Sequence, residues 1–174
     1  GGWGACAIHD GAGPFRTMAH GDTRVIPAEL LETMYPFVVE AFSLRPDSGG
    51  PGKHRGGLGY IKRYRILEPC TLRVDFDRIL CPPWGVMGGH PAESGRVVIT
   101  RHGSEVPEVI YKCREYQLAE GDIISAEIGG GGGYGPPQDR SLELIVRDVA
   151  RGYVSAEAAK RDYGVSAEDL QTFA

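Results

Sequence analysis

Gly129 to Pro137 reads GGGGGYGPP: five consecutive glycines, an aromatic residue, a sixth glycine and two prolines. Ordering a glycine costs more backbone entropy than ordering any other residue. Two readings account for such a concentration. The backbone there takes positive φ or lies hard against another backbone or an anionic ligand, or the run is a flexible linker. The flanks favour a fixed crossing. Tyr134 is bulky enough to seek burial, and Pro136 and Pro137 stiffen the exit.

The same punctuation recurs earlier. Residues 45–59, RPDSGGPGKHRGGLG, hold six glycines, and residues 81–91 read CPPWGVMGGHP. With 26 glycines in 174 residues the chain carries about twice the usual share. They fall between apolar runs, as the corners of a strand-rich fold do. The intervening runs FVVEAFSL (37–44), YIKRYRIL (60–67), CTLRVDF (70–76), RVVIT (96–100), EVIY (108–111) and DIISAEI (122–128) read as strands. In CTLRVDF the residues Cys70, Leu72, Val74 and Phe76 alternate with Thr71, Arg73 and Asp75, the pattern of a half-buried strand with Asp75 facing out.

PAELLETMY (27–35) reads as a short helix, with Pro27 at its first position and Pro36 ending it. Past Pro137 the period changes. Leu142, Ile145, Val146 and Val149 share one helical face, Gly152 ends that helix, and Ser155 and Gly164 bracket a second one, AEAAKRDY. Ser166 caps a last turn. The expected fold is mainly β (α+β): an antiparallel strand-rich body over 1–137 with six to eight strands, a short helix near 27–35, and a small helical tail over 138–174.

A 174-residue chain with 41% hydrophobic residues can bury a core as one domain of ordinary size. Its net charge of −4 gives no electrostatic reason to expect nucleic acid or an anionic membrane as partner. No apolar run is long enough to span a bilayer. The two short tail helices read as a docking or capping pair, not as a DNA-reading module. Cys6, Cys70, Cys81 and Cys113 form no C-x-x-C, so buried free thiols in a cytoplasmic protein are expected. The chain opens on Gly-Gly-Trp-Gly without Met, as a piece of a longer polypeptide or a processed one would.

Candidate chemistry lies in the loops. His9-Asp10-Gly11 and His20-Gly21-Asp22-Thr23 place two histidines and two aspartates within fifteen residues. They could act as acid and base or hold a metal, and Asp-Gly is equally a turn. Lys53, His54 and Arg55 sit on a glycine-rich loop that could seat a phosphate or carboxylate, or be a wide hairpin with solvated charges. The loop does not match the phosphate-binding pattern G-x-x-x-x-G-K-[ST]. Asp77 with Arg78 suits a structural ion pair, and Trp84 a packing anchor.

Several stretches occur together in one order: GGWGA, then DG, IPAELLE with YP, LRPDSGGPGKHRGGLG, DR with PPWGVMGGHP, GD at 121–122, GGGGYGPP with DR, and DV with GYVSAEAA and YGV. This order resembles the C-terminal third of the B-type part in the hydantoinase B / 5-oxoprolinase family, over essentially the whole chain. The resemblance implies part of an ATP-dependent, multi-subunit cyclic amide hydrolase. An A-type subunit with ATP and Mg2+ phosphorylates the amide oxygen, and the B-type part completes hydrolysis of the lactam or imide. The alternatives are a B-like portion of an ATP-dependent ketone carboxylase, or a non-catalytic assembly module of such a complex. The implied partners are the remainder of the B-type subunit, which could hold a divalent metal, the A-type subunit and a small-molecule substrate.

On this reading Asp10, His20 and Asp22 are the candidate catalytic residues, and His54 and Arg55 the candidate substrate-binding ones. No metal ligand is assigned. Family members more often carry an Asn-Thr-type pair where this chain has Asp22-Thr23. The glycine run would let the last strand pass against the backbone of the remainder of the B-type part.

Overall fold

A computed structural model describes residues 1–16 and 24–171. Seven strands are found among them: β1 (Phe37–Leu44), β2 (Tyr60–Ile66), β3 (Cys70–Asp75), β4 (Arg96–Thr100), β5 (Glu108–Ile110), β6 (Lys112–Leu118) and β7 (Ile123–Glu127). Five form an antiparallel sheet in the order β1-β2-β7-β4-β5, and β3 pairs with β6 in a second. Strand-rich antiparallel architecture is therefore observed, as the spacing of apolar runs and turns predicts.

Alternation decides what faces inward. In β4 Val97 and Ile99 are buried while Arg96, Val98 and Thr100 are less so. Together with Ile66, Ile124, Val74 and Leu118 they form one cluster fed by both sheets. In β3 the predicted alternation holds, with Val74 buried and Asp75 exposed against Arg73. The layers do not close fully. A 460 Å³ cleft, floored by Phe37, Tyr64, Ile66 and Val97, stays open between them.

α1 (Ala28–Met34) follows Pro27, which sits just outside the helix as its cap. The tail holds α2 (Leu142–Ala150), α3 (Ala156–Tyr163) and α4 (Ala167–Gln171). Ser155 caps α3 by accepting from the Ala158 N–H, and Gly164 ends it at φ 71°. The tail builds its own small core from Ile145, Val154, Ala158, Ala159, Tyr163 and Val165. The two apolar clusters share no residue.

The glycine run is a crossing within the chain. A Cβ on Gly130, Gly131, Gly132 or Gly133 would fall well inside 3.0 Å of the carbonyls of Ser48, Trp3, Trp84 and Pro51 respectively. Hydrogen bonds tie the same segments together: Gly131 N–H to Gly57 O (2.9 Å), Gly133 N–H to His90 O (3.0 Å), Gly50 N–H to Gly131 O (2.9 Å) and Ala5 N–H to Gly132 O (2.9 Å). Four stretches distant in sequence meet there, and only a backbone without side chains fits. Close approach is therefore the reason for the run. None of Gly129–Gly133 takes a left-handed φ, whereas Gly135 does, at 71°. The backbone they meet belongs to this chain, which corrects the expectation that the remainder of a B-type part supplies it.

Other expectations need correction. β6 has no counterpart among the predicted strands. Asp77 pairs with Lys112 (2.9 Å), not Arg78. Arg78, at φ 58°, lies over the Trp84 ring at 4.8 Å, and Trp84 is 65% exposed, so it anchors no core. The cysteines are free, but Cys81 is exposed and the other three are only partly buried.

Candidate functional site

Residues from four parts of the chain converge where the tail leaves the body. Arg140 follows the 3-10 turn Pro137–Asp139 directly, and its side chain is 0% exposed. Its guanidinium forks onto Asp10, with Nη1–Oδ1 at 2.7 Å and Nη2–Oδ2 at 2.8 Å. Nη2 also donates to Asp148 Oδ2 (2.7 Å), and Nη1 to the Lys53 carbonyl (3.1 Å). Asp148 projects from α2 and is 3% exposed at its side chain. Its Oδ2 also accepts from Arg55 Nε (3.0 Å).

Backbone groups complete the joint. Arg55 N–H donates to Asp10 Oδ1 (2.8 Å), and Gly11 N–H to the Arg55 carbonyl (2.7 Å). Arg55 Nη1 donates to Gly56 O (2.6 Å), and the guanidinium lies over Tyr153 at 5.4 Å. Two aspartates and two arginines therefore neutralise one another in a largely dry place. Breaking one such pair leaves an uncompensated buried charge, which costs about 3–5 kcal/mol.

The electrostatics follow from this packing. Burial alone would raise the Asp10 carboxyl, but donation from Arg140 and Arg55 outweighs it and holds Asp10 below the usual carboxylate range. Burial alone would lower Arg140, and its partners Asp10 and Asp148 push it upward instead. Tyr163, buried beside them, is pushed up to about 12 chiefly by desolvation. The Tyr163 hydroxyl and Arg140 Nε are both buried without a hydrogen-bond partner among the described residues.

His54 borders the joint. Its backbone pairs with Tyr134 at the exit of the glycine run (3.0 and 2.9 Å), and its Nδ1 lies 3.9 Å from Asp10 Oδ1. Of the candidate residues read from sequence, Asp10, His54 and Arg55 are brought together. His20 and Asp22 lie outside the described residues. Arg140 and Asp148 were not among the candidates. Asp148 carried a signal, as a charge beside the apolar stripe of α2, and Arg140 stood in the DR after the glycine run.

The sequence profile of the family described as Hydantoinase B/oxoprolinase matches residues 1–137. The chain belongs to this family. It is 33% identical over 172 residues to the beta chain of the caprolactamase of Pseudomonas jessenii, covering 94% of this chain and 28% of that one. To the B-type chain of a putative D-/L-hydantoinase of Pseudomonas sp. it is 31% identical over 153 residues, covering 87% of this chain and 26% of the relative. To the acetone carboxylase alpha subunit of Xanthobacter autotrophicus it is 25% identical over 199 residues, covering 94% and 26%. The crystal structure of the ATP-dependent caprolactamase of P. jessenii superposes with a TM-score of 0.82 at 27% identity, covering 96% of this chain and 30% of that one. The chain thus spans about a quarter to a third of the length of these relatives.

Among its described residues no three His, Cys, Asp or Glu side chains come together as metal ligands. No helix among them is long and apolar enough to cross a membrane.

Proposed function

We propose that this chain forms part of the B-type component of an ATP-dependent complex that opens a cyclic amide, completing hydrolysis of a phosphorylated lactam or imide. The observation that carries the reading is the gradation of likeness. Identity is 33% and 31% to proteins named for lactam and hydantoin chemistry, against 25% to one named for acetone carboxylation. The carboxylase reading rests on that last match, which also spans 94% of the chain.

In this proposal ATP and Mg2+ belong to an A-type partner, and a divalent metal to the remainder of the B-type component. Asp10 serves the site as a positioning residue, because its carboxylate already accepts from Arg140 and the Arg55 backbone. Arg55 does the same, its guanidinium being held by Asp148 and Gly56. His54 faces the substrate, and His20 with Asp22 handles protons. A chain whose charged joint is so fully engaged also suits a supporting, non-catalytic module.

The test uses the complete B-type chain purified with its A-type partner. Given ATP and 5-oxoproline, hydantoin or caprolactam, the complex should release ADP and ring-opened product from at least one of them. His20→Gln or Asp22→Asn should lower kcat about 100-fold or more. Fixation of labelled bicarbonate onto acetone without ring opening would overturn the hydrolase reading. Unchanged kcat in both variants would leave this segment a supporting module. An azido-ATP probe should label the partner, and label recovered in residues 45–59 or 129–135 would refute that placement.

A further inference from the structure

A second cavity lies on the five-stranded sheet, away from the charged joint. It measures 610 Å³, within the range of small-molecule sites. Phe15, Phe42 and Tyr60 give it apolar walls, and three cations line it: Arg16, Arg24 and Lys62. No carboxylate stands among its described lining residues, although the chain as a whole carries 23 acids against 19 bases. None of these three cations has an ion-pair partner among the described residues.

Lys62 is the fixed member. It stands on β2, inside the sheet between β1 and β7, opposite Phe42 and Ala126. Its ammonium lies over the rings of Phe42 (5.4 Å) and Tyr64 (5.5 Å). Aromatic faces orient a cation but do not neutralise it. Burial pushes the Lys62 ammonium down from its ordinary value, as expected of a partly desolvated charge with no acid beside it among the described residues. The exposed Arg16 and Arg24 add forked donors suited to carboxylate or phosphate oxygens.

We propose that this cavity is a binding site for a small organic anion, a carboxylate or phosphate ester carried on an apolar body, with Lys62 as its charge anchor. The apolar walls would take the body, and the three cations the charge. The inference concerns binding and does not depend on whether the complex hydrolyses or carboxylates.

The experiment is calorimetric titration of the complete B-type chain in its complex with benzoate, phenyl phosphate and benzyl alcohol, without ATP. At least one aryl anion should bind, with neutral benzyl alcohol about tenfold weaker or more. Which anion binds tighter separates carboxylate from phosphate as the natural group. Lys62→Met should weaken the anion about tenfold, while Lys62→Arg stays near the parent. Should Lys62→Met fail to assemble, Arg24→Met, at an exposed position, carries the same readout. Binding of neither anion, equal binding of benzyl alcohol, or methionine variants that bind the anion as the parent does would each overturn the proposal.

Discussion

Gly132 shows how much one residue can decide. A methyl group there would meet the Trp84 carbonyl, a backbone atom that cannot rotate away. Gly132→Val in the complete chain should therefore cost about 3 kcal/mol or more, the upper range for overpacking. Gly152 makes the control, because nothing lies within 4 Å of its Cβ position, but its φ of 68° calls for Asn and not Val. Gly152→Asn should stay within about 0.5 kcal/mol. Comparing the melting temperatures of the two variant complexes checks this, and equal values would make the run mere slack. From sequence the glycines were legible as a crossing, because five together have few other uses. What they cross was not, since Trp3, Ser48, Pro51 and Trp84 carry no mark of their destination. The pairing of Asp10 with Arg140 was hidden for a related reason: 130 positions separate the two ends of this ion pair.

Among the elements, helices and most strands were legible because their apolar residues recur at 3.6 or 2. The tail helices begin and end within a residue or so of their capping serine and glycines. β6 was not legible, because KCREYQL is mostly charged or polar and its pairing with β3 slips between Leu72 and Val74. The joint between body and tail is electrostatic, so it should respond to acid. Asp10 is depressed in the folded chain, so its contribution is complete above the unfolded aspartate value of about 3.9 and is lost as pH falls through the folded value. Asp122 is a second depressed carboxylate but stands at the turn between β6 and β7, not in the joint, where the Ala119 and His102 N–H groups and Arg101 outweigh its burial. The protection of α2 and α3 amides against hydrogen exchange, taken relative to the intrinsic rate at each pH, should therefore fall below about pH 4. Asp10→Asn should loosen the same helices at pH 7, by about 3 kcal/mol, and narrow the gap to the parent as pH drops. Parent and variant helices that respond identically to acid would show that Asp10 does not secure the joint.

Taken whole, the chain leaves much apolar surface uncovered. Ile8 is 82% exposed, Leu80 96% and Met87 69%, and the cleft between the sheets stands open. Surfaces of this kind mark contact with other protein. The 174 residues expressed alone should aggregate or bind a hydrophobic dye, and the complete B-type chain should not. A monodisperse, cooperatively unfolding monomer would count against a shared core. The crossing of glycines has one more consequence, for synthesis. Its last segment, Gly129–Tyr134, closes hydrogen bonds to residues as early as Gly2 and Ala5. On a ribosome adding about 5–20 residues per second, the early partners wait several seconds with their backbone groups unmatched. A nascent chain stalled before Gly129 keeps those backbone groups open, which makes it a natural client for chaperones.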